Sequence, residues 1–80
     1  MPRFYFHVHD ETMVLDEQGI VLPDLAAARA EAVSGARDLM CDQVREGRLN
    51  LAHWLEVEDE QHRHVFSLPF RAAIELKFYD

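Results

Sequence analysis

"GIVLPDLAAARAEA", residues 19–32, is the stretch whose reading decides the fold. A short β-branched run, Ile20–Val21, meets a Pro-Asp corner and passes at once into alanine-rich sequence. Pro23 biases Leu22 to extended geometry and so ends the strand. Asp24 is suited to cap a helix N-terminus, because its carboxylate can accept first-turn amide hydrogens and its charge matches the positive helix end. Residues 25–46 then read as one helix, ~33 Å long at ~1.5 Å per residue, with Gly47 as its stop. At helical spacing Leu25, Ala32, Val33, Ala36, Leu39, Met40 and Val44 fall on one side, and Glu31, Asp38, Asp42 and Glu46 on the other. The small residues at the start of the apolar side suit close packing on a sheet. The corner is therefore a strand stop and a helix cap, the hinge of a small fold rather than a working loop.

Working outward from the hinge, both flanks alternate with the period of a strand. "RFYFHVH", residues 3–9, puts Phe4, Phe6 and Val8 on one side and Arg3, Tyr5, His7 and His9 on the other. Asp10, Glu11 and Thr12 make a polar turn into "MVLD". "DEQG", residues 16–19, is a second turn, with Gly19 free to take positive φ, and "IVL" reads as a third short extended piece or as a continuation of the second strand past a bulge. Beyond the helix, "WLEVEDE" alternates again, with Trp54 and Glu56 on one side and Leu55 and Val57 on the other. "HRHVFSLPF" completes a hairpin that Pro69 should end. The tail "RAAIELKFYD" reads as a helical turn over Ala72–Leu76 or as a strand through Ile74, Leu76 and Phe78. The order β-β-α-β-β predicts an α+β fold: an antiparallel sheet of about four strands with one long helix packed on one face, residues 1–80 forming a single domain. The face holding Tyr5, His7 and His9 then has no helix to cover it.

Bulk properties narrow the classes of function. With 80 residues, a single core is marginal without support from an oligomer, a metal or disulfides. Cys41 is the only cysteine, which excludes an intrachain disulfide and suits a reducing cytoplasm. The net charge is −7 and the eight basic residues form no run, which argues against direct nucleic-acid binding. The N-terminus lacks the apolar core of a signal peptide, and no stretch approaches the ~18 apolar residues of a membrane span.

The strings "MPRFYFHVHD", "DEQGIVLPDLAAARAEA" and "SLPFRAAIEL" resemble a family of small bacterial domains of unknown function. Its members open "MPRYYFH", continue "DEEGVELPDLEAARAEA" and close near "LPF". The resemblance spans nearly the whole chain and implies the same fold in a bacterial cytoplasmic setting; no activity comes with it. The chain departs from that pattern at "DEQHRHV", where the family often has a hairpin glycine. A looser likeness, in architecture and in "LPDL…A", is to acidic antitoxins of the HicB type, and implies masking of a small basic protein.

The chemistry-bearing residues sort into three surfaces. His7 with His9, and His62 with His64, each lie at i, i+2 on a strand; if the strands adjoin, their imidazoles suit Zn or Ni. Against this, such pairs are commonly solvated side chains, and no Cys or second carboxylate completes a signature. Tyr5, His7 and Trp54 on the uncovered face make a candidate interface, since exposed aromatics mark contact surfaces. Glu31, Asp38, Asp42 and Glu46 form an acidic helix stripe able to dock a basic partner, although such stripes are more often solvated. His53 reads as an ordinary linker residue, and Cys41 as a small hydrophobe at the edge of the apolar helix side. No nucleophile elbow or phosphate loop is present. The expectation is a non-enzymatic interaction module that self-associates as a homodimer. An antitoxin-like protein and a histidine metal-binding domain are the alternatives.

Overall fold

The computed structural model describes residues 1–79. The elements are β1 (Arg3–His9), β2 (Met13–Val14), β3 (Ile20–Val21), α1 (Leu25–Arg45), β4 (Trp54–Glu58) and β5 (His64–Pro69), followed by one 3-10 turn, Phe70–Ala73. The five strands make an antiparallel sheet in the order β2-β1-β4-β5, with β3 also paired to β1. Helix and sheet form two layers only 18 Å thick. This is the expected α+β arrangement, with β2 and β3 as two halves of one edge strand.

The break between those halves has a specific cause. Met13 and Val14 pair with His9 and Val8, whereas Ile20 and Val21 pair with Phe4 and Arg3. Five residues, Leu15 to Gly19, therefore face three, Tyr5 to His7, and the excess loops out as a wide bulge. Gly19 closes it at φ +69°, with its Cα so near β1 that a Cβ would lie 2.8 Å from the Phe4 carbonyl oxygen. Only glycine fits there.

Asp24 caps α1 as expected, accepting the Ala27 N–H at 2.8 Å. At the other end Gly47 takes φ +84°, its N–H reaching the Val44 carbonyl and the Arg48 N–H the Gln43 carbonyl. This pair of bonds is a Schellman stop. The buried line of α1 is Ala28, Ala32, Ala36 and Met40, flanked by Val33 and Leu39. Leu25 and Val44, expected on the packed side, are exposed. Successive positions four apart advance ~40° round the helix, so the contact line drifts and its ends leave the sheet. Cys41 also stands exposed rather than packed.

Opposite the alanines lie Phe4, Leu55, Val57 and Phe66, and Phe70 and Ala73 of the 3-10 turn complete the core. The Arg29 guanidinium sits 4.5 Å from the Phe66 ring centroid, where a cation is attracted to the ring. Pro69 is the last residue of β5, as its missing N–H requires. The tail takes neither of its two sequence readings in full: one 3-10 turn forms, pinned by the Arg37 Nε–H donating to the Ala73 carbonyl at 2.8 Å. At the β4–β5 hairpin, His62 occupies the left-handed position at φ +60°, the conformation for which a glycine is the usual choice. The Asp59 carboxylate accepts the Gln61 and Arg63 N–H groups and holds that turn.

Candidate functional site

Antiparallel register places partners on the same face. Tyr5 lies opposite Glu58, His7 opposite Glu56, and His9 opposite Trp54, all on the side away from α1. The expected uncovered face is therefore real, and it carries an ordered polar lattice. Glu58 Oε1 lies 2.7 Å from His7 Nε2 and 3.3 Å from His62 Nδ1. Glu56 lies 3.2 Å from His9 Nε2 and 3.4 Å from His64 Nδ1. Each carboxylate is thus shared by a histidine of β1 and one of the hairpin. Stacking fixes two of the rings: His9 lies flat on Trp54 at 3.8 Å, and His62 sits over Tyr5 at 4.4 Å. The hydrogen bond from His7 first, and that from His62, hold the Glu58 carboxyl below its ordinary range against a smaller opposing effect of burial.

His7 is the most constrained member. It is buried, and its Nδ1 accepts the Asp16 backbone N–H at 3.0 Å. That bond requires a lone pair on Nδ1, so the network assigns the proton to Nε2, which donates to Glu58. Asp16 in turn accepts backbone N–H groups from Phe6 at 3.1 Å, Gln18 at 3.1 Å and Gly19 at 3.0 Å. It bridges the bulge between β2 and β3 with hydrogen bonds that the broken ladder no longer supplies. Partial burial works to raise the Asp16 pKa, but these three donors outweigh it and hold the carboxyl below the ordinary aspartate value.

The four histidines singled out in the sequence thus share one face yet do not converge. Among the described residues no group of three or more His, Cys, Asp or Glu side chains is arranged to hold a metal ion. His7 is unsuited for a further reason. A metal at Nε2 would move the proton to Nδ1, against the Asp16 N–H it now accepts. Of the candidate interface residues, Tyr5 and Trp54 are half-buried on the open face, whereas His7 is buried. Beside them Met13 of β2 and Leu15 of the bulge are 50% and 57% exposed, whereas Val14, opposite Val8, lies on the helix side of the sheet. Met13 and Leu15 line a hollow of about 460 Å³ with His7, Glu58 and His62.

The acidic stripe divides. Asp42 and Glu46 lie near Arg45 and Arg48, at 3.8 and 3.1 Å, in exposed pairs of small energetic consequence. Glu31 and Asp38 instead line, with Asp16, a hollow of about 260 Å³ whose floor includes Phe6, Val8, Leu39 and Leu55.

Four residues escape a sequence reading. Glu56 and Glu58 alternate opposite His7 and His9, a signal that becomes visible only once β4 is known to pair with β1. Asp16 reads as a turn residue, and its reach to Phe6 depends on the bulge. His53, expected to be bland, is buried. Gln43 Oε1 accepts the Asn50 N–H, so its amide nitrogen donates to His53 Nδ1 at 2.9 Å, leaving His53 Nε2 directed to Glu11 at 3.4 Å.

No helix of the described residues is long and apolar enough to cross a membrane. No curated protein and no solved structure matches the chain. Of the strings that carry the resemblance, the opening strand supplies Tyr5, His7 and His9 to the lattice, and the "DEQG" bulge supplies Asp16. A family model covers residues 3–71, and the chain belongs to that family, the Domain of unknown function DUF6894.

Proposed function

We propose that this domain is a non-enzymatic protein-interaction module of the bacterial cytoplasm that self-associates through its open sheet face. One observation carries the reading. The face left uncovered by α1 carries stacked rings at its centre, and Met13 and Leu15 stand exposed beside them. Preorganised rings flanked by exposed aliphatics are what contact surfaces use, because little side-chain freedom remains to be lost on binding. The histidines support a structural role, since each is engaged with a glutamate. The lone cysteine supports a reducing compartment.

Sedimentation velocity over a wide concentration range tests it. The wild type is expected to show a monomer–dimer equilibrium, and Trp54→Ala or Leu15→Asp to weaken it at least ~10-fold, equivalent to ~1.4 kcal/mol. A wild type that stays monomeric at every concentration, or variants that leave the equilibrium unmoved, would sink the reading.

A second reading, an antitoxin-like masking of a basic partner, is favoured by the hollow lined by Asp16, Glu31 and Asp38. Carboxylates at the rim and an apolar floor suit the head and stem of a lysine or arginine. A lysine-rich probe peptide is expected to bind the wild type ~10-fold more tightly than Asp38→Lys. Equal binding by both ends this reading.

A further inference from the structure

We propose that His7 is a pH-sensitive latch whose protonation opens the bulge between β2 and β3. The neutral ring ties two segments to β1 at once. Its Nε2–H donates to Glu58 Oε1 at 2.7 Å, and its Nδ1 accepts the Asp16 N–H at 3.0 Å. An imidazolium carries hydrogen on both nitrogens and accepts at neither. Protonation therefore strengthens the bond to Glu58, which becomes a pairing of opposite charges. At Nδ1 it does the reverse, and sets two N–H groups against each other. One side of that contact must move. The ring is buried and held by Glu58, whereas Leu15, Glu17 and Gln18 of the bulge are exposed. The bulge gives way.

The groups facing His7 set the balance. Glu58 and, directly opposite in register, Glu56 face it from β4, and Asp16 faces it from the bulge. Glu17 lines the same hollow, and His62 of the hairpin approaches through the shared Glu58 oxygen. On β1 itself, His9 is engaged with Glu56, and the Arg3 guanidinium donates to the Gln18 carbonyl at the far side of the bulge. The carboxylates attract a proton to the ring; burial, Arg3 and a charged His9 or His62 oppose it. Opening has consequences because of where the bulge sits. Asp16 lines the hollow of the open face together with Met13 and Leu15. It also lines the acidic hollow beside α1 together with Glu31 and Asp38. One proton on His7 thus reshapes both candidate contact surfaces. The latch resides within a single copy and does not rest on self-association.

Solution NMR of the full chain tests it, with imidazole nitrogen shifts reporting His7 and hydrogen exchange reporting the bulge. At neutral pH, His7 is expected to carry its proton on Nε2 alone. Between about pH 7 and pH 5, where histidine changes charge, Nδ1 should gain a proton. Over the same range the Asp16 amide should lose at least ~10-fold of its exchange protection, since opening coupled to one proton gains up to ~10-fold per pH unit. The Ala32 and Ala36 amides of α1 should keep theirs. The Asp16 carboxyl titrates below the ordinary aspartate value, so the two events fall in separate windows. His7→Asn, whose Oδ1 can accept the Asp16 N–H and takes no proton, should remove the pH dependence. Glu58→Gln keeps a hydrogen-bond acceptor but loses the charge that attracts the proton, so opening should move to lower pH. A His7 that stays neutral throughout the range, or an imidazolium formed with the Asp16 amide still protected, would overturn the latch. So would loss of protection in α1 together with the bulge, a wild-type response in His7→Asn, or an unmoved transition in Glu58→Gln.

Discussion

Asp16→Ala is expected to lower stability by about 3 kcal/mol. The Asp16 carboxylate accepts three backbone N–H groups, from Phe6, Gln18 and Gly19. Gln18 is exposed and can turn to water, whereas the Phe6 and Gly19 amides lie in partly buried surroundings. A buried donor left without a partner costs ~1–3 kcal/mol, and two such donors account for most of the loss. Asp16→Asn keeps one acceptor oxygen but loses the charge, so it should fall between the two.

The same residue makes stability depend on pH. Its folded-state pKa lies below the ordinary value, so between the two values the unfolded chain binds the extra proton and stability rises with pH. The contribution is complete above the unfolded value of ~3.9 and disappears as pH falls through the folded value. Urea midpoints for the wild type and Asp16→Asn should therefore be well apart at neutral pH and approach each other in acid. A gap that stays constant down to strongly acid pH would show that the carboxylate charge contributes nothing.

Asp16 also shows where sequence reasoning stops. "DEQG" is legible as a turn because Asp favours turns and Gly19 accepts positive φ. That the carboxylate crosses to β1 depends on two surplus residues in the bulge, and periodicity does not count them. The open face was legible for a simple reason. Alternation in "RFYFHVH" and "WLEVEDE" assigns Tyr5, His7, His9 and Trp54 to one side whatever the strand order. Its internal pairing was not, because joining Glu58 to His7 and Glu56 to His9 needs the β1–β4 register, which neither strand encodes by itself. The helix shows the same division. Its cap and stop are local, and are legible to within a residue. Its buried line follows the angle at which α1 crosses the sheet, so Ala28 takes the place that hydrophobicity assigns to Leu25. His53 looks unremarkable because the groups that bury it, Gln43 and Phe70, come from opposite sides of the linker.

Phe70→Ala should have the largest effect of any single change, about 4 kcal/mol. Pro69 ends the β5 ladder and turns the chain under α1. The Phe70 N–H then donates to the His53 carbonyl at 2.9 Å. This places the ring in the core at 1% exposure, edge-on to the His53 imidazole at 5.7 Å. Deleting a fully buried phenyl group removes its transfer energy and leaves a cavity, together ~3–5 kcal/mol. The cavity should collapse poorly, because the neighbouring helix line is alanine and has no longer side chain to fill it. A chain of this length has only ~4–12 kcal/mol of stability in total, so the melting temperature should fall by ~20 °C or more. Phe70→Leu, which keeps most of the volume, should lose ~1.5 kcal/mol or less. Phe78→Ala, eight residues on and 89% exposed, should leave the dilute monomer unchanged. Urea unfolding of the three variants, followed by far-UV circular dichroism, checks the ranking. A Phe70→Ala loss no larger than that of Phe70→Leu would mean that the 3-10 turn frays from the sheet and that the core ends at Phe66.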